Sequence, residues 1–156
     1  LKIIGNIYPL INNVIPKNKL ETLIGDHLRD AINAVNSANT ERKGIFAILG
    51  IKNNIYELSI YDTGVDFRIE TLLKLGLEPV TTYKGGSGIG FITTFETLKQ
   101  TKSSLIITEQ LKNKENYYTK SVTIRFDGKN EYKICSYRAD QIEKYSKNRQ
   151  ILIEKV

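Results

Sequence analysis

Methionine and tryptophan are missing from the 156 residues, and there is one cysteine, one histidine and only three prolines. A single thiol, Cys135 in "EYKICSYR", excludes an internal disulfide and a thiolate metal cage. It reads as a small apolar residue in a strand, and the setting is expected to be reducing, that is cytoplasmic. The lone His27 excludes imidazole clusters. No apolar run approaches the ~18 residues of a membrane span, and the first residues, "LKIIGNIYPLINNVI", lack a cationic region followed by a small-residue cleavage site. A chain that begins at Leu1 and has no methionine is expected to be cut from a longer protein.

Charge is present, at a net +6, but it is not gathered. The lysines are spread from Lys17 to Lys114, with no basic helix and no aromatic–arginine platform, so neither nucleic acid nor direct membrane contact is expected. A small anionic ligand accounts for the same balance. With 40% hydrophobic residues the chain is expected to form one globular domain.

Periodicity places the elements. Residues 1–16 read as an arm or linker closed by Pro16, and 17–156 as the domain proper. In the helix expected over 17–39, Leu20, Leu23, Ile24, Leu28, Ala31, Ile32 and Val35 recur every three or four residues. Strands at 44–52 and 54–62 flank an Asn-Asn hairpin turn. A short helix over 68–76, a loop over 77–87 and a helix over 88–100 follow. Strands at 104–110, 120–127 and 131–138 come next, the last two joined by "DGKN". A short helix and a last strand end the chain. Helices and paired strands in this order predict a two-layer α/β sandwich with a mixed, largely antiparallel sheet.

Three stretches can carry chemistry. Asp26, Asp30 and Asn33 share a polar helix face, flanked by Arg29. Two carboxylates and an amide in a row can hold a hydrated Mg²⁺; the same pattern also describes a solvated face. In "YDTGVDF", Asp62 ends a strand and is followed by Thr63 and Gly64. That is a turn signal, or an acceptor-only carboxylate for the amino hydrogens of a purine, with Gly64 letting the ring approach the backbone. The run "YKGGSGIGF" puts Gly85, Gly86, Gly88 and Gly90 at the start of a helix, where unpaired N–H groups attract phosphate. Thr81, Thr82 and Lys84 stand just upstream. No Gly-Lys-Ser/Thr follows, so it is not a Walker loop, and no strand precedes it as in a dinucleotide fingerprint.

In this order the three stretches resemble the GHKL ATPase superfamily, the Bergerat fold, which includes sensor histidine kinases, gyrase and mismatch-repair ATPases. "GDHLRDAINAV" is similar to its N-box, "YDTGVDF" to its first glycine box and "GGSGIGF" to its second. The resemblance covers residues 17 to 127, and "TTYK" points toward the bacterial sensor kinases. It implies that Asp30 stands in place of the Mg²⁺-binding asparagine. It implies that Asp26 is catalytic, orienting the attacking group or a water, and that Asn33 stands where many kinases carry a phosphate-contacting lysine. Asp62 would bind the adenine amino group and Gly64 floor the purine pocket. Thr82 and Lys84 would belong to the ATP lid, and Gly86, Ser87, Gly88, Ile89 and Gly90 would wrap the phosphates. Ser121 aligns loosely with an adenine-side threonine. The departures are Asp30 for asparagine, Asn33 for lysine, and Asp66 for the second glycine of the first box.

The implied function is the ATP-binding catalytic domain of a bacterial sensor histidine kinase. It would bind Mg²⁺-ATP and transfer the γ-phosphoryl group to a histidine on another domain. Its partners would be an upstream histidine-bearing dimerisation domain and a response regulator. His27, inside the nucleotide-binding helix, is read as packed or surface-lying and not as the phosphoacceptor. The alternatives are a non-catalytic nucleotide-sensing module and an ATPase of the gyrase or mismatch-repair kind, where a glutamate usually stands at the Asp26 position.

Overall fold

The structure, a computed structural model, describes residues 2–3, 11–75, 90–113 and 115–156. Its elements are β1 (Lys2–Ile3), α1 (Lys17–Ser37), β2 (Ile45–Lys52), β3 (Ile55–Asp62), α2 (Ile69–Leu73), α3 (Gly90–Thr101), β4 (Ser104–Glu109), β5 (Lys120–Arg125), β6 (Tyr132–Ser136), α4 (Ala139–Tyr145) and β7 (Ile151–Lys155). The strands form one sheet in the order β1-β2-β3-β5-β4-β6-β7. The longer ladders, β2/β3, β3/β5 and β4/β5, are antiparallel. The β1/β2, β4/β6 and β6/β7 ladders are parallel. This is the expected mixed α/β sandwich, with the helices on one face.

The β2–β3 hairpin turns on Asn53 and Asn54, whose φ values are 52° and 62°. Positive φ at both central residues matches the right-handed twist of the strands, and asparagine tolerates it. The other expected turn, "DGKN", joins strands that are not neighbours, because β4 lies between β5 and β6. The start of β4 fills the turn. Ser104 Oγ donates to Asp127 Oδ1 at 2.8 Å, Glu131 N donates to Ser104 Oγ at 3.0 Å, and Leu105 N donates to the Glu131 carbonyl at 2.9 Å.

Strand alternation puts residues in rows across the helix-covered face. One row runs Leu49, Leu58, Ile124, Leu105, Tyr132, Ile151, and the next Ala47, Ile60, Val122, Ile107, Ile134, Ile153. These rows, with Ile11, Ile15, Leu98 and Ile142 packed over them, are the core. The third row is polar: Asp62, Lys120, Glu109 and Ser136 lie side by side on four adjacent strands. All four are buried. The covered face therefore changes from apolar to ionic at one end of the sheet.

Helix α1 buries Leu20, Leu23, His27, Ala31 and Val35 and packs on β2, β3 and α3. Ile32, expected on the buried stripe, is 49% exposed. His27 takes the stripe position one turn before Ala31, which rotates Ile32 outward.

Candidate functional site

At the polar end of the sheet a cavity of ≈ 290 Å³ opens between α1, the loop after β3, and the start of α3. Asp30, Asn33 and Ser37 line it from the helix. Asp62, Lys120 and Val122 line it from the sheet. Asp66, Phe67 and Arg68 come from the loop, and Phe91, the residue after Gly90, closes it from α3. Residues from the first two motifs thus meet in one space, bordered by the helix that follows the third.

Asp62 is 5% exposed. Its Oδ1 accepts the Gly64 N–H at 2.8 Å and lies 3.8 Å from Lys120 Nζ. Among the described residues its other oxygen has no hydrogen-bond partner. Burial pushes its pKa up to about 6, against the pull of Lys120. Burial also lowers the pKa of Lys120, against the attraction of Asp62 and Glu109. Desolvation outweighs attraction for both partners, so the pair is held at a cost in stability. Lys120 Nζ donates to the Val65 carbonyl at 2.6 Å and sits 4.4 Å from the centre of the Phe67 ring. Sequence reasoning missed Lys120. The signal was its place at the start of a strand that must pair with β3, which sets it directly opposite Asp62. Ser121, the loosely aligned residue, points to the other face of the sheet by the same alternation.

Asp30 is half-buried, and burial together with the nearby Asp26 charge raises its pKa to about 6. Asp26 does not line the cavity; it pairs with the exposed Arg29 at 3.4 Å. Thr82, Lys84, Gly86, Ser87, Gly88 and Ile89 lie outside the described residues, and Gly90 is the first residue of α3. His27 is buried, with Nε2 3.1 Å from Thr94 Oγ1 and its ring edge-on to Phe91 at 5.3 Å. Burial lowers its pKa to about 4, so it is neutral at physiological pH.

Gly64 has a reason of its own. A Cβ there would lie 2.5 Å from the Ala34 carbonyl carbon, 2.7 Å from Ala34 Cβ and 2.7 Å from Asp62 Oδ1. The loop presses on α1 at this point, where Val65 N donates to the Ala34 carbonyl at 3.2 Å. Gly64→Ala must push the loop off the helix. Overpacking of this kind costs ~1–3 kcal/mol, and a chain this size loses about 2–4 °C of Tm per kcal/mol. A fall of roughly 2–12 °C is therefore expected in thermal unfolding. A Tm within about 2 °C of wild type would mean the contact yields freely.

The loop is also tied to the far side of the sheet. Glu109 Oε1 accepts the Phe67 N–H at 2.9 Å, Arg138 Nη2 donates to the Phe67 carbonyl at 2.6 Å, and the Tyr137 hydroxyl donates to Asp66 Oδ2. That last bond, with burial, pushes the Tyr137 hydroxyl up to about 12. Asp66, where the sequence resemblance leads one to expect a glycine, is thus an anchored residue.

No family model matches the chain, and no curated protein sequence matches it. Among solved structures the fold is similar to that of the mycobacterial sensor histidine kinase MprB, with 16% sequence identity and a TM-score of 0.52. The likeness covers 69% of this chain and 69% of that one. At this identity it shows a shared fold, the α/β sandwich of a histidine-kinase domain. Among the described residues no helix is long and apolar enough to cross a membrane.

Proposed function

We propose that this chain is the ATP-binding domain of a sensor histidine kinase of the GHKL superfamily. It would bind Mg²⁺-ATP and donate the γ-phosphoryl group to a histidine on another domain. The observation that carries this reading is the cavity in which Asp30 and Asn33 of α1 face Asp62 of β3, with Phe91 of α3 at its border. The kinase-like fold supports it.

The residues present fit such a ligand. Asp62 offers an unpaired carboxylate oxygen in a mainly apolar recess, which suits the amino hydrogens of a purine. Asp30 carries a proton-binding tendency created by burial and by Asp26, and a cation beside it would relieve that repulsion. Among the described residues no group of three or more His, Cys, Asp or Glu is placed to hold an ion alone. Mg²⁺ would take one or two carboxylates there and complete its octahedron with water and phosphate oxygens. Bound there, the ion would neutralise charge on the transferring phosphoryl group. Asp30 and Asn33 would orient the phosphate end, Asp62 the base end, and Phe67 and Phe91 would exclude water from the recess.

A binding-only module is the second reading, and one observation favours it. Asp26, the residue assigned to orient the attacking group, lies outside the cavity and is paired with Arg29.

Millimolar Mg²⁺-ATP is expected to raise the Tm. At 100 times Kd a ligand adds about 2.7 kcal/mol, or roughly 5–10 °C for a chain this size. No shift at all counts against both readings. Incubating the full-length protein with γ-labelled ATP separates them: label on a histidine supports the kinase, and tight binding without label supports the module.

A further inference from the structure

We propose that Lys120 is a base-reading residue, and that with Asp62 it lets the cavity accept guanine as well as adenine. The inference rests on the nucleotide-binding reading and goes beyond it by naming the bases.

Two complementary groups stand side by side at the sheet wall of the cavity. The Lys120 ammonium has three donors and no acceptor. It makes one hydrogen bond among the described residues, to the Val65 carbonyl at 2.6 Å. The Asp62 carboxylate accepts only, and one of its oxygens is unspent. The two side chains are 6% and 7% exposed, 3.8 Å apart, and both line the cavity. A ligand that fills this end meets a donor and an acceptor side by side, each already engaged within the chain and each with hydrogen-bonding capacity left over.

A carboxylate alone would exclude guanine, because the carbonyl oxygen at C6 would face another acceptor. It would admit adenine, whose C6 amino group is a donor. With Lys120 beside it the exclusion is lifted. Adenine would give its amino group to Asp62 and leave Lys120 on the Val65 carbonyl. Guanine, shifted by one ring position, would give its carbonyl oxygen to Lys120 and its N1–H to Asp62. The guanine pairing is charge-assisted at both contacts.

The test is calorimetric titration of the chain with Mg²⁺-ATP and Mg²⁺-GTP, for wild type and Lys120→Met. Wild type is expected to bind both within about tenfold of each other. A hydrogen bond to a charged group is worth about 1.5–3 kcal/mol, so Lys120→Met, which also removes the partner of Asp62, should weaken GTP about 10- to 100-fold more than it weakens ATP. Wild type that binds ATP and rejects GTP by more than about 100-fold overturns the inference while the nucleotide reading stands. Equal loss of both nucleotides in a folded Lys120→Met chain overturns it too. Wild type that binds neither removes the nucleotide reading and the inference with it. The wild-type ratio decides even if the variant fails to fold.

Discussion

Asp62→Asn is expected to cut the Mg²⁺-ATP-induced rise in Tm by about half or more, whereas Asp140→Ala should leave it intact. The carbonyl oxygen of the substituted amide can still accept the Gly64 N–H, so the local turn survives. What is lost is the negative acceptor facing the base. A hydrogen bond to a charged group contributes about 1.5–3 kcal/mol, so affinity should fall about 10- to 100-fold, and a ligand at 100 times the wild-type Kd would stabilise the variant by only about 0.4–1.4 kcal/mol in place of about 2.7. Asp140 pairs with Lys155 on the exposed surface of α4 and is a fair control. Equal shifts in the two variants would remove Asp62 from the site.

The same carboxyl predicts a pH dependence. Asp62 and Asp30 both titrate at about 6 in the folded chain. If binding requires both charged, affinity falls as pH drops below 6, and Asp62→Asn should remove one group's share of that slope. The unliganded chain behaves differently. A carboxyl whose pKa is raised on folding contributes stability that is present below its unfolded value of ~3.9 and lost as pH rises through about 6. His27, lowered to about 4, contributes stability that is present above ~6.5 and lost as pH falls toward 4. These effects oppose each other between pH 4 and 6.5, so the unliganded Tm is a poor reporter. The ligand-induced difference at each pH cancels them.

The elements of this fold were legible because each has a local cause. The Asn53-Asn54 turn, the three-and-four spacing from Leu20 to Val35, and the alternation in β3 depend on near neighbours. The insertion of β4 between β5 and β6 does not. "DGKN" makes the same turn whether its flanking strands pair or straddle a third, and what decides is the Ser104 hydroxyl reaching Asp127 and Glu131. The site divides in the same way. Asp30, Asn33 and Asp62 were readable as polar residues at telling positions. Lys120 was not, since a lysine at a strand start reads as solvent-facing until its row is known. Nor was the reason for Gly64, which comes from Ala34, thirty residues earlier. Asp26 and Asp30 share a helix face, yet one turn of α1 is enough to carry Asp26 past the rim of the cavity.

Glu109→Ala is expected to cause the largest loss of stability of any change considered, although Glu109 is outside every motif. Its side chain is fully buried. Oε1 takes the Phe67 N–H and Arg138 Nη2, at 2.9 and 2.6 Å; Oε2 takes the Ser136 hydroxyl and Arg138 Nε, at 2.8 and 3.3 Å. A forked guanidinium on a fork of carboxylate oxygens, with the remaining lone pairs engaged, is the geometry in which a buried pair offsets its desolvation. Removing the carboxylate strands a mostly buried guanidinium, the Phe67 N–H and the Ser136 hydroxyl together. Breaking such a pair costs ~3–5 kcal/mol, or about 6–20 °C of Tm. Glu109→Gln keeps the shape and two acceptor lone pairs, and should cost less. Because Phe67 floors the cavity, Glu109→Ala should also weaken Mg²⁺-ATP at temperatures where the chain is still folded. A double-mutant cycle with Arg138→Ala is the sharper measurement: the double variant should be hardly less stable than either single one, since each alone leaves the same ion pair broken. Additive losses would mean that Glu109 and Arg138 act separately, and that the clamp on the loop lies elsewhere.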